Sequence, residues 1–209
     1  MESAGPRRGV RPARPHSQTA CPWYVCTFNF RPPVFPWLLF HMDIDMDELA
    51  LSSAAIPQRN MLEPFVKSIS VVFETMLGCL ATPNRIRPVG HPAELSSPVT
   101  SLILLSGGMN GSLSIHTSVA TSMAVFERMT GFPPEAFDDD VRDAMGELAN
   151  VTAGFGKRSL ADVGLDIGLP QVFAEQQPIP LPAWGHHFLA DFHSEIGSLT
   201  LAVGFSPCS

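Results

Sequence analysis

The chain has 209 residues, 45% hydrophobic and 16% charged, a balance that fits one folded domain with a sizeable core and leaves little length for a second. Its formal charge of −7 is unevenly spread: residues 1–41 hold five arginines and one acid, whereas the remainder holds eight basic and 19 acidic residues, or −11. An acidic body repels phosphate backbones, which excludes nucleic acid as the main partner.

Residues 1–45 are rich in Pro and Arg and read as a disordered extension or as sequence upstream of the natural start, with Met42 and Met46 as candidate starts. The apolar run Val34 to Phe40 is broken by Pro36, is too short to span a bilayer, and precedes no cleavage site. Neither secretion nor membrane spanning is expected, and the folded domain is placed at residues 60–206. Cys21, Cys26, Cys79 and Cys208 form no Cys-x-x-Cys pair and no zinc spacing, so they read as free thiols in a reducing cytoplasm.

Asn60 reads as the cap of a first helix, Met61 to Leu80, with Glu63 as its capping-box partner and Pro64 in the first turn. Phe65, Ile69, Val72, Met76 and Leu80 recur at three and four residues and predict one buried stripe. Gly78 weakens the end of this helix and Pro83 stops it. Residues 82–98, rich in Pro, Ser and Gly, read as irregular. Val99 to Leu105 and Ser112 to Thr117 then form a β-hairpin about Ser106-Gly107-Gly108-Met109-Asn110-Gly111. No Gly-Lys-Ser/Thr follows those glycines, so they are a turn and not a phosphate loop.

Ser118 caps a helix from Val119 to Thr130 that Gly131 closes, and Asp138 to Asp140 open a longer one, running to about Val163 with Gly164 as its stop. Leu165 to Val172 supplies a strand interrupted by Gly168 and Pro170, and Pro178 to Pro182 is a loop. His187 to His193 and Ser198 to Phe205 form a hairpin around Glu195-Ile196-Gly197. Clustered strands and clustered helices imply an α+β fold, an antiparallel sheet with long helices packed on one face.

The longest helix carries the candidate chemistry. With Val141 set at zero and about 100° per residue, Met145, Leu148, Thr152 and Phe155 fall within about 40° of it. Glu147, Asn150 and Gly154 lie at about 180° to 240°. A carboxylate and an amide three residues apart thus share an outward face and can reach one ligand. Gly146, Gly154 and Gly156 each weaken this helix by up to about 1 kcal/mol relative to alanine. Either another protein approaches it closely, or a neighbouring element of the same chain does.

Glu-x-x-Asn occurs by chance on many solvated helices, and its surroundings give it meaning here. The string Gly146-Glu147-Leu148-Ala149-Asn150-Val151-Thr152-Ala153-Gly154, followed by Lys157-Arg158 and Leu160, resembles the signature helix of the CheC, CheX and FliY chemotaxis phosphatases. The Gly107 to Leu113 turn, the short helix after it and the acidic start of the signature helix come in the same order, so that the resemblance covers about residues 61–205. The CheC-like pattern has a second Glu-x-x-Asn on the first long helix. Here Glu63 and Glu74 are followed at that place by Val66 and Leu77, which is the CheX-like condition.

The resemblance implies an enzyme that hydrolyses the phosphoaspartate of a CheY-like receiver domain, in chemotaxis or a related two-component pathway. It further implies a cytoplasmic homodimer joined through β-strands. Asn150 would align the attacking water, and Glu147 would pair with the receiver's lysine. Asp143, Gly146, Gly154, Lys157 and Arg158 would contact the partner. No cofactor is expected in this chain; Mg²⁺ would be held by the receiver. The alternative is a non-catalytic receiver-binding or dimerisation module of the same fold. A metalloenzyme reading fails on spacing, because His187 and His193 stand about 20 Å apart along a strand.

Overall fold

The computed structural model describes residues 55–89, 97–174 and 186–206, so the expectations for residues 1–45 and for the Pro178 to Pro182 loop lie outside the described residues. The first helix, α1 (Ala55–Val72), begins ahead of the predicted start. Asn60 lies within it and is not its cap. Phe65, Ile69 and Val72 are fully buried as the periodicity requires, but the stripe then departs from it: Met76 is only partly buried and Leu80 is 70% exposed. The reason is a π-helical turn over Phe73–Leu77, whose wider spacing shifts the inward face and buries Phe73 and Leu77 instead. Gly78 ends this segment in the left-handed conformation (φ 63°), and its backbone N–H donates to the Phe73 carbonyl.

Residues 82–98 are not wholly irregular, since Ala81–Val89 form strand β1. Two prolines argued against a strand there, yet both are accommodated because, among the described residues, β1 lies at the edge of the sheet and pairs only with β6. Its register shifts between Pro83 and Arg85, leaving Asn84 as the extra residue of a bulge.

The hairpin β2 (Val99–Gly107) and β3 (Gly111–Thr117) forms as predicted, and so does α2 (Val119–Thr130), capped by the Ser118 hydroxyl, which accepts from the Thr121 N–H. The long helix α3 spans Asp139–Arg158, with the Asp138 carboxylate accepting from the Val141 N–H. It stops short of Val163; Ala161–Val163 are a separate 3₁₀ turn, and Gly164 ends that turn. Alongside it sit Gly107 and Gly108, where a Cβ would collide with the carbonyls of Gly164 and Val163 respectively. The double glycine therefore lets the hairpin turn lie against the end of the helical segment.

Strands β4 (Leu165–Ile167), β5 (Gln171–Ala174), β6 (His186–Ser194) and β7 (Gly197–Phe205) complete an antiparallel sheet of order β1-β6-β7-β3-β2-β4, with β5 also pairing β2. α1 and α3 pack against each other, and α2 packs on α3. Together they cover one face of the sheet, where Ile103, Leu113, Ile115, Leu201, Val203 and Phe205 meet Phe65, Met145 and Leu148. This is the expected α+β arrangement. The opposite face carries a small apolar cluster, Val89, Leu189 and Ala202, and a buried His116. His116 shares hydrogen bonds with the Thr100 hydroxyl (3.1 Å) and the Ser114 hydroxyl (2.8 Å). Burial pulls its pKa down to about 4.

Candidate functional site

The packing of α3 fixes the orientation of its two faces. Val141, Met145, Leu148 and Thr152 are fully buried, and the Thr152 hydroxyl donates to the Leu148 carbonyl at 2.8 Å, so that the inward face carries no open polar group. Glu147 and Asn150 lie on the opposite face and are both exposed, as the periodicity predicts. Among the described residues neither makes a hydrogen bond or an ion pair. Asp143, one turn before Glu147, is exposed on the same stripe. The stripe is thus a row of polar groups on a rigid support, free to meet something outside the fold.

The three helix glycines, alike in the sequence, have different surroundings. A Cβ on Gly156 would overlap the ring of Phe65 on α1, so this glycine serves the packing of the two helices. Gly146 is buried, and a Cβ there would meet Pro170 and Val172 at 3.5–3.6 Å. It faces the β4–β5 segment of its own chain, the second of the two reasons considered for a helix glycine. At Gly154 nothing lies within 4 Å. Only this one of the three leaves open space beside Glu147 and Asn150.

The basic pair at the end of α3 also divides. The Lys157 amine stands 3.5 Å from a carboxylate oxygen of Asp166 on β4, while the Arg158 guanidinium lies over the Phe155 ring, 4.9 Å from its centre. Both hold positive charge near the C-terminal end of the helix, where the macrodipole favours it. The β4–β5 segment therefore borders one side of the stripe, touching α3 at Gly146 and again at Lys157. The sequence marked this segment only as an interrupted strand, between Gly168 and Pro170.

A second Glu-x-x-Asn face is absent among the described residues. Glu63 is paired with Lys67 at 2.6 Å, and Val66 and Leu77, three residues after Glu63 and Glu74, are buried. Among the described residues no group of three His, Cys, Asp or Glu side chains is placed to hold a metal ion. His193 bonds instead to the Ser198 hydroxyl at 3.0 Å, and Glu195 pairs with Arg128. No helix of the described residues is long and apolar enough to cross a membrane.

Residues 99–193, which include the whole of α3, match the family model described as chemotaxis phosphatase CheX. No curated protein sequence matches the chain. Among solved structures, a CheC-like superfamily protein from Shewanella sp. PV-4 is 26% identical, with a TM-score of 0.64 over 70% of this chain and 97% of that one. CheX from Vibrio vulnificus is likewise 26% identical, with a TM-score of 0.63 over 70% of this chain and 99% of its own. CheX from Borrelia burgdorferi, solved as a complex with CheY, BeF₃ and Mg²⁺, shares the fold at 19% identity and a TM-score of 0.59, covering 70% of this chain and 98% of that one. Residues 99–193 thus resemble CheX in sequence, and the described fold is that of CheC-like and CheX proteins.

Proposed function

We propose that the chain is a phosphatase that hydrolyses the phosphoaspartate of a CheY-like receiver domain, in chemotaxis or a related two-component pathway. The observation that carries this reading is the pairing of Glu147 with Asn150: side by side, exposed, without partners among the described residues, and on a helix whose other face is locked into the core.

Hydrolysis of an acyl phosphate requires water to attack phosphorus as the bond to the aspartate oxygen breaks and the carboxylate leaves. The reaction asks chiefly for alignment and for stabilisation of charge. Asn150 suits the alignment. Its amide oxygen can accept a proton-bearing edge of the water, its NH₂ can donate elsewhere, and it adds no negative charge beside the phosphoryl group. Glu147 suits the anchoring, as a carboxylate that would meet the lysine of the receiver. Asp143, Gly154, Lys157 and Arg158 surround this pair and would complete the contact. Mg²⁺ would belong to the receiver, and no cofactor is assigned to this chain; the Borrelia complex likewise contains Mg²⁺ together with CheY and BeF₃. A homodimer joined through β-strands and a cytoplasmic location complete the reading, on the strength of the family resemblance.

Phosphate release from phosphorylated CheY-type receivers tests it. Asn150→Ala should lower the turnover rate about 100-fold or more, the size of effect expected when a reacting group loses its alignment. Glu147→Ala should chiefly weaken binding. Receiver binding without faster release would favour a docking module over an enzyme, and full activity in Asn150→Ala would sink the assigned mechanism.

A further inference from the structure

Strands β4 and β5 pair with the same strand, β2, at the edge of the sheet. Leu105 pairs with Ile167, and Leu102 pairs with Gln171. Between those pairs two residues of β2, Ile103 and Leu104, face three residues, Gly168, Leu169 and Pro170. The edge strand therefore carries one extra residue, a bulge of the kind that re-aims a side chain. Both ends of the bulge are pinned. The Gly168 N–H donates to the Leu104 carbonyl at 2.9 Å, and Pro170 lies against α3 at Gly146. Between them Leu169 is 88% exposed, the most exposed large apolar side chain among the described residues.

A single exposed leucine is ordinary on a protein surface. This one is held by a fixed bulge, and on α3 the contact at Gly146 lies only about 40° around the helix from Asn150. Resting on the phosphatase reading, we propose that Leu169 is an apolar anchor for the receiver, seated at the border of the Glu147–Asn150 face and burying its side chain as the receiver docks. The polar stripe alone would supply charge-directed contacts that salt screens, whereas a buried leucine adds a contact that salt does not weaken. Interfaces commonly take their stability from a few such anchors within a polar surround.

The test measures phosphate release against receiver concentration, using the full chain and whichever CheY-type receiver it dephosphorylates fastest. Leu169→Ser should raise KM about ten-fold or more, the weight of one leucine leaving water, with turnover at saturation unchanged. Leu169→Met should restore a near wild-type KM. Thermal midpoints of both variants should match the wild type, because the side chain makes little contact within the fold. An unchanged KM in Leu169→Ser, a lowered midpoint, or a loss confined to turnover would overturn the anchor. If the wild type is active and Leu169→Ser behaves like it, only the anchor falls; if the wild type releases phosphate from no CheY-type receiver, the phosphatase reading falls and the anchor with it.

Discussion

α1 and α3 lie on the same face of one sheet and pack against each other, yet they treat their polar side chains in opposite ways. On α1, Glu63 is closed off by Lys67 one turn on, and the residues that stand where a second amide would be needed, Val66 on α1 and Leu77 in the π turn after it, are turned into the core. On α3, Glu147 and Asn150 point outward and close on nothing among the described residues. A helix that only covers a core neutralises its charges locally, as paired residues four apart readily do. A helix with an external partner keeps its polar groups available, and the difference is visible only when burial and pairing are read together.

Three measurements would break or sharpen that contrast. The largest effect concerns the sheet on which both helices rest. His116 stays neutral in the folded chain down to about pH 4, while the unfolded chain takes up its proton below about pH 6.5. Between those values the unfolded state binds more protons, so stability falls as pH drops, by about 3 kcal/mol at pH 4, and the contribution of His116 to this slope is already small at pH 7 and fades above it. Urea midpoints from pH 7 to pH 4 should show the decline, and His116→Gln should flatten it. A slope unchanged by that substitution would move the acid sensitivity elsewhere.

Next in size is Gly156→Ala, where the two helices meet. The added methyl would overlap the fully buried Phe65 ring, which itself packs near Phe205 with ring centres 6.2 Å apart. Overpacking of this kind should cost about 1–3 kcal/mol in a thermal or urea melt. Smallest in stability and opposite in sign is Gly154→Ala. With open space around it, alanine should stabilise the helix by up to about 1 kcal/mol. It should nevertheless lower kcat/KM for phosphate release several-fold, because the methyl stands where a receiver would approach. A stabilised variant with unchanged release would place Gly154 outside the contact.

The outward placement of Glu147 and Asn150 could be read directly from the helical repeat, because both the start of α3 and its inward face are written in strong local signals: Asp138 as cap, then apolar residues at three and four. The hairpins β2–β3 and β6–β7 and the capped helix α2 were legible for the same reason. Other features depend on which strand lies beside which. Pro83 and Pro88 spoke against a strand until β1 proved to be an edge, and the bulge that exposes Leu169 exists only because β4 and β5 share β2 as neighbour. The π turn after Val72 is likewise invisible to a fixed repeat, since it changes the repeat itself. The three glycines of α3 carry the same letter, and only their surroundings separate one that packs on Phe65, one that meets Pro170 and one that faces open space.

The prolines at the rims of the sheet set a limit on assembly. β1 is interrupted by Pro83 with its neighbouring bulge and again by Pro88, and the β4–β5 rim is interrupted by Pro170. Among the described residues neither rim offers a long strand free of proline, which guards against the edge-to-edge growth that leads to fibres. A homodimer joined through β-strands, as proposed above, would therefore draw its strength from side chains packed across the joint more than from a long backbone ladder.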